Sequence, residues 1–468
     1  MQVPEQATDD VIYSDLDIDP DTRYFLYVGE LKADCLNPLL RDFLSRKFET
    51  RFDFISILPD VLATYPHRNI LVINPRSRER AAESGKRVCC RVSAEAFCTR
   101  VSESETVHRL IRSLLQRQET VYVHVYESRP ELTLPRIPGV VLLGPDGEAA
   151  HRWNNKRYQL EALKNTDIPV IDFRTCNGYN ELVQTTTNLR ACWKNGIFVS
   201  QPYSAAGMNS FITLSNEDLG GNMMYPDSEY LVSRYIPHLY DPTVLGIAAG
   251  PEDVFIVAVA DQEIEGGNKF RGSVFPSALS PDIQEILKRH TRSVGRMLGQ
   301  SGYRGVYGCD FIVDENDRVH FVELNARKQG TTMEMACILE HLLPQGAPSL
   351  PELEFYAVTE GRFPENAVEL SDNPDGLCWR TYNYKTDREV LVRTFIPQAF
   401  DERDLFRQVA GNALEHGMIV MEHLGQGLTA EPGTFVGRIA AVSRRREWLE
   451  SDIRAGKELL FRSVSTEE

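Results

Sequence analysis

Short apolar runs separated by helical spacings organise the first third of the chain. Residues 24–28, 54–58, 69–73, 120–125 and 139–143 are rich in Val, Ile and aromatic side chains and too short for buried helices, so each predicts a strand. Amphipathic stretches such as 37–48 and 104–118 lie between them, and strands alternating with helices predict a mostly parallel α/β domain over residues 1–150. The first eighteen or so residues are acidic and aperiodic, which predicts a mobile leader. Gly29-Glu-Leu-Lys32, after the first strand, is a poor match to a glycine-rich phosphate fingerprint.

The texture changes after residue 150. Residues 196–201, 209–214, 229–236 and 254–259 alternate as strands with glycine-bearing loops, so an α+β region of antiparallel strands is expected over 151–345. Proline-rich residues 343–351 read as a linker. The last segment, 352–468, carries strand patterns at 377–384, 389–396, 418–423 and 434–442 and an amphipathic helix at 444–461, an α+β extension.

Within the middle region two β-prone runs, Gly305-Val-Tyr-Gly308-Cys-Asp310-Phe-Ile-Val and Val319-His-Phe-Val-Glu323-Leu-Asn325-Ala-Arg327, flank the turn-forming segment Asp314-Glu-Asn-Asp-Arg318. If Asn316 and Asp317 centre the turn, Asp310 lands opposite Glu323, and directly opposed residues have Cβ atoms about 4.5–5.5 Å apart. Asn325, two residues on, shares the face of Glu323. Two carboxylates so close repel unless a cation lies between them, and a hard divalent ion favours carboxylate and amide oxygens. The hairpin therefore reads as a metal site rather than a solvated acidic strand pair. Gln329-Gly-Thr-Thr332 and an apolar helical run at 333–343 follow, which would put the donors of a helix start just beyond the metal, a seat for phosphate or carboxylate.

Bulk properties set limits. A chain of 468 residues, 42% hydrophobic and 25% charged, is an ordinary globular protein of two or three domains. Its net charge of −16 argues against a nucleic-acid partner, and no apolar stretch approaches a membrane span. The start of the chain lacks the pattern of a secretory signal, so a cytoplasmic location is expected. Nine cysteines without C-x-x-C spacing argue against zinc and a disulfide framework.

The hairpin resembles the metal-binding core of the ATP-grasp superfamily, and the resemblance covers roughly residues 150–345. It implies an ATP-grasp fold with ATP and Mg2+ as cofactors, and Asp310, Glu323 and Asn325 as ligands of the magnesium ions that bridge the nucleotide phosphates. Arg327 would meet the transferred phosphoryl group or the substrate carboxylate. Pro202-Tyr-Ser204-Ala-Ala-Gly207-Met is a loop of small residues whose backbone could approach an anion, and it matches the family's phosphate-covering flap. Gln201 stands where the family usually has a lysine, while Lys156 matches the lysine that opens the ATP-grasp region. Ser233, Arg234, Tyr235 and Ile236 resemble the hinge whose backbone reads adenine, with Ser233 replacing the usual acidic residue, and Asp241 lies close enough in sequence to contact ribose. Lys269 and Arg271, in the glycine-flanked turn Gly266–Gly272, correspond to basic residues presented to the phosphates.

The resemblance implies a ligase that activates a carboxylate as an acyl phosphate and lets an amine displace the phosphate. Residues 198–207 and Pro432-Gly-Thr-Phe-Val-Gly-Arg438 are similar to peptide ligases of the pheganomycin type, so the expected partners are a small-molecule carboxylate and an amino acid or short peptide. Many relatives are dimers, which leaves a homodimer open. A non-catalytic ATP-binding module, suggested by Gln201 and Ser233, and an enzyme with a non-amine acceptor are the alternatives. Arg380, Tyr382 and His423 could line an acceptor pocket, although surface or packing roles are the simpler reading.

Overall fold

The computed structural model describes residues 11–204, 210–215, 219, 227–370, 376–396, 402–421 and 423–464. The first sheet is built from β1 (Val11–Asp15), β2 (Arg23–Val28), β3 (Phe52–Leu58), β4 (Ile70–Ile73), β6 (Val121–Val125) and β7 (Val140–Leu143), in the order β1-β4-β3-β2-β6-β7. All neighbours pair in parallel except β1, which runs antiparallel along β4. Part of the expected leader is therefore structure: residues 11–15 close the sheet edge, and Tyr13 stacks on Tyr65 with ring centroids 4.7 Å apart. β2 to β4 are almost wholly buried, as helix-covered parallel strands must be.

Between β4 and β6 lies the two-residue β5 (Val88–Cys89), which joins β18 (Val390–Leu391) and β20 (Thr429–Ala430) in a small separate sheet. Cys89 and Ala430 are thereby paired across the fold. Next come β8 (Phe173–Asn177), β9 (Ile197–Ser200), β10 (Phe211–Thr213) and β11 (Glu229–Arg234), an antiparallel sheet ordered β10-β9-β11-β8. Trp193, Leu182 and Leu219 pack on one of its faces.

The third sheet holds the hairpin. β12 (Pro242–Ala248), β13 (Val254–Glu265), β14 (Lys269–Phe275), β15 (Gly305–Val313), β16 (Val319–Asn325), β17 (Cys378–Lys385), β19 (His416–Met421) and β21 (Phe435–Ser443) run in the order β16-β15-β12-β13-β14-β17-β21-β19, every described pair antiparallel. Strands from the C-terminal segment thus continue the middle sheet, and one apolar core joins Tyr27, Val257, Met335, Trp379 and Val442 from all three segments. The stretch expected as a linker leads at once into helix Leu350–Thr359, whose Phe355 packs against Phe25, Phe43 and Phe54 of the first domain. The chain's last quarter is bound into the fold on both sides.

Candidate active site

The site is built around the pairing of β15 with β16, where Asp310 faces Glu323 and Gly308 faces Asn325. The predicted partners are correct, but the loop differs from the two-residue turn assumed for them. Val313 pairs with Val319, Asp317 takes φ 58°, and the register slips between Asp310 and Phe311 so that Val322 is the extra residue of a β-bulge. The bulge has a physical purpose. It lets Phe321, which stacks edge-on against Phe311 in the core, and Glu323 face opposite sides although they are two residues apart.

Asp310 is held by three donors. Thr243 Oγ1 of β12 and Gln329 Nε2 donate to its Oδ1 at 2.7 and 3.0 Å, and Asn325 Nδ2 donates to its Oδ2 at 2.8 Å. Burial, and after it the facing Glu323 carboxylate, pushes the Asp310 carboxyl up to about 6 against the opposing pull of those donors. Arg327 Nη1 donates to Asn325 Oδ1 at 2.6 Å, and its Nε lies 3.5 Å from Glu127. Gly308 is required by this packing, because a Cβ there would collide with the Gln329 amide.

Lys156 forms an ion pair with Glu323. Its placement follows from the short helix Lys156–Leu163, which Asn155 caps by accepting from the Tyr158 N–H at 3.1 Å. Buried Gln159 of that helix binds the outer edge of β16, donating to Leu324 O at 2.7 Å and accepting from Leu324 N–H at 2.9 Å. An exposed strand edge is thereby covered, and the lysine is carried to the hairpin. The Lys156 backbone N–H also donates to Pro202 O at 2.9 Å, tying the helix to the small-residue loop.

Gln201 follows β9 directly and Ser204 lies in that loop, while Gly207 is outside the described residues. The hinge comes at the end of β11: Ser233 pairs with Phe198, and the Arg234 and Tyr235 N–H groups donate to Asp172 O (2.9 Å) and Gly196 O (3.2 Å). His238, not anticipated, donates from one ring nitrogen toward Ile236 O (2.7 Å) and pairs through the other with Asp241 (2.9 Å), which raises its pKa against the effect of burial.

Lys269 and Arg271 need correction. The turn is Glu265-Gly-Gly-Asn268, with Gly266 and Gly267 at φ 62° and 81°, and both cations stand on β14 beyond it. Lys269 is exposed, and Arg271 is the bulged residue between Phe270 and Gly272 and binds Glu265 at 2.5 Å. Among the described residues neither is hydrogen-bonded or ion-paired to the Asp310 group, and Arg271 lies within electrostatic range of Tyr382, Tyr384 and Lys385. Of the tentative pocket residues, Arg380 is paired with Glu263 at 2.6 Å and His423 is buried.

Thr243 and Gln329 are the positioning residues that the sequence did not disclose. Thr243 was readable only as a hydroxyl in the apolar run Pro242–Ala248, and Gln329 only as part of a turn. Gln329 N–H donates to Thr332 Oγ1 at 2.8 Å, an acceptor contact that does not consume the Thr332 O–H. Thr331 Oγ1 is buried with no partner among the described residues, at the start of helix Thr332–Leu342.

The donor set suits a hard divalent cation. Two carboxylates oppose each other with a lysine on Glu323 alone, Asp310 is held high by burial and repulsion, and Asn325 Oδ1 retains a lone pair after accepting from Arg327. Magnesium at this position would displace Lys156 from Glu323.

The family model of the ATP-grasp domain matches residues 153–331, the stretch that holds Lys156, the hinge and the hairpin. Residues 153–331 therefore form an ATP-grasp domain. The chain is 22% identical over 211 residues to a [butirosin acyl-carrier protein]–L-glutamate ligase of Niallia circulans, covering 44% of this chain and 50% of that protein. It is 32% identical over 103 residues to an L-propargylglycine–L-glutamate ligase of Streptantibioticus cattleyicolor, covering 21% of this chain and 20% of that one. The matches thus span half or less of these curated relatives. Among solved structures, the biotin carboxylase domain dimer of Hydrogenobacter thermophilus 2-oxoglutarate carboxylase, determined with MgADP and bicarbonate, aligns with a TM-score of 0.60 at 13% identity over 92% of this chain and 89% of that one. That likeness establishes the shared fold. Among the described residues no helix is long and apolar enough to cross a membrane.

Proposed function

We propose that the chain is an ATP-dependent carboxylate–amine ligase that forms an acyl phosphate, passes the acyl group to an amine, and releases ADP and phosphate. The observation that carries this reading is the pairing of Asp310 with Glu323 beside Asn325 and Arg327, a carboxylate pair with an adjacent half-buried guanidinium.

Asp310, Glu323 and Asn325 would hold magnesium, with Thr243 and Gln329 fixing the orientation of Asp310. When bound there, magnesium screens the phosphate oxygens and draws charge from the transferred phosphoryl group. Arg327 stands on the same face and would align the substrate carboxylate for in-line attack. Its guanidinium is kept charged by Tyr126, Glu127, Glu323 and Asp310 despite the cost of its burial. The Ile236 N–H, which has no acceptor among the described residues, and the carbonyls of the hinge would read adenine, with Asp241 toward the ribose. No side-chain nucleophile is needed, because the substrate's own carboxylate attacks phosphorus and the amine then attacks the acyl carbon.

Both curated relatives are named for ligation with L-glutamate, which makes glutamate the first carboxylate to test. The test is ADP and phosphate release by purified protein with ATP, Mg2+ and a panel of amino acids and peptides. Turnover that depends on both an acid and an amine, and that disappears in Glu323→Ala and Asn325→Ala, supports the ligase. Tight ATP binding without ADP formation across the panel rejects it. One relative is named for an acyl-carrier protein, so a carrier-bound acceptor is the second reading, distinguished by product mass.

A further inference from the structure

Four cations from distant segments converge on the crevice outside the carboxyl ends of the parallel strands. Glu30 and Lys32 follow β2, Asp60 follows β3 and Tyr126 follows β6, the place where open α/β sheets take their ligands. Lys32 Nζ binds Glu30 Oε2 at 2.6 Å and lies 4.2 Å from the centre of the Tyr126 ring. Arg91 stands two residues beyond β5. The end of β17 is held against β5, with Thr386 N–H donating to Thr434 O at 3.2 Å and Thr434 Oγ1 to Cys89 O at 3.5 Å, and this brings Lys385, the last residue of β17, to the crevice within electrostatic range of Arg271 of β14.

Lys385 is the anomaly in this group. Its Nζ sits 4.6 Å over the Phe435 ring, and among the described residues it has no hydrogen-bond or ion-pair partner. Burial, then the charges of Lys32 and Arg91, hold its ammonium down to about 8, with Glu30 opposing and Arg271 adding to the effect. Glu30 is already committed to Lys32 and is itself held low by Lys32, Arg91 and Lys385. Asp60, on the same rim, is pushed up to about 7 by burial and then by Glu30, so its compensating charge is only partial near neutral pH. A half-buried ammonium among other cations, in a chain of net charge −16, is electrostatically incomplete without an anion.

Tyr126 connects this crevice to the reacting centre. Its carbonyl accepts from the Lys328 N–H at 3.3 Å, and the adjacent Arg327 reaches Asn325 Oδ1. One wall thus runs from Lys32 through Tyr126 to Arg327 and Asp310.

We propose that Lys32, Arg91 and Lys385 seat the second carboxylate of a dicarboxylic amino acid whose other carboxylate is activated at Arg327 and the hairpin. The proposal rests on the ligase reading for its reacting end, while the anion seat stands on the crevice alone.

The test is calorimetric titration of the full chain, with Mg2+ and a non-hydrolysable ATP analogue present, using L-glutamate and glutarate against L-glutamine. Losing one charge-assisted contact weakens binding by about tenfold or more, so Lys385→Met should weaken both dicarboxylates by at least that factor while Lys385→Arg retains them. Glutamine should bind weakly to wild type and be unaffected by Lys385→Met. Equal affinity of glutamate for wild type and Lys385→Met, or no dicarboxylate binding at all, overturns the anion seat. ADP release from ATP is read separately. Dicarboxylate binding without ADP release keeps the seat and removes the ligase, whereas ADP release with equal preference for glutamate and glutamine keeps the ligase and removes the seat.

Discussion

Two pairs of carboxylates in this molecule each lie against a cation, and they do opposite things. On the hairpin, Glu323 faces Asp310 and pairs with Lys156, and the lysine and Glu323 side chains keep 12% and 20% of their exposure. Glu334 and Glu402 share Arg438 between helix Thr332–Leu342, helix Glu402–Ala410 and β21, with side-chain exposures of 0% for each glutamate and 3% for the arginine. In the first, the lysine can be exchanged for a cation arriving from solvent. In the second nothing can enter, Glu334 Oε2 has no hydrogen-bond partner among the described residues, and burial followed by the Glu402 charge pushes the Glu334 carboxyl up to about 8 against the pull of Arg438. Access to solvent, more than charge pairing, separates a site from a structural lock.

The comparison breaks most visibly if Arg438 proves dispensable. Arg438→Met leaves two buried glutamates without compensation, and removing one partner of a buried ion cluster typically costs about 3–5 kcal/mol. Urea or thermal unfolding should show a drop of that order or an insoluble product, and a midpoint near wild type would show that the cluster locks nothing. At the hairpin the expectation is reversed: Asp310→Asn and Glu323→Gln should each lower acid-dependent ADP release by about a hundredfold or more, while unfolding shifts by less than about 1 kcal/mol because a repulsion is relieved. A matching loss of stability would make Asp310 and Glu323 a lock as well. Thr243→Val removes one donor from Asp310 and should cost about tenfold in ADP release, largely recovered by raising Mg2+, as for other groups that orient a metal ligand.

The pH dependence is the finest test. The folded Glu334–Glu402 pair keeps a proton up to about pH 8, whereas an unfolded glutamate loses it near 4.5. Because the folded pKa is the higher one, the stability this pair contributes is full below about pH 4.5 and declines as pH rises through 8. Glu402→Gln, which leaves one carboxylate for one arginine, should flatten that decline in thermal melts between pH 6 and 9. An unchanged slope would place the titrating group elsewhere.

How much could be read from the chain depended on how locally each feature is encoded. The hairpin was legible because its two runs lie within twenty-one residues and carry their own turn, although the Asp310–Glu323 register arises from a five-residue loop and a bulge at Val322 rather than a symmetric turn. The strands of the first sheet were legible as apolar runs, whereas β1, with Ser14 and Asp15 at an edge, looked like leader. The Gly266–Gly272 segment was misread because two glycines mark the turn, but the strand resumes at Lys269, where alternation is hidden by the bulge at Arg271. Three placements had no local signal at all. Thr243 meets Asp310 only through the β12–β15 pairing, Glu334 meets Arg438 across 104 residues, and Lys32 shares a crevice with Lys385 only because C-terminal strands extend the middle sheet back over the first domain.

The central claim is that Asp310 and Glu323 grip a divalent ion together with nucleotide. Manganese binding followed by electron paramagnetic resonance, with and without ADP, tests it most directly. The account predicts nucleotide-dependent manganese sites in the wild type that are lost in Asp310→Asn and Glu323→Gln, while both variants still bind ADP. Manganese bound equally well by all three proteins would contradict it.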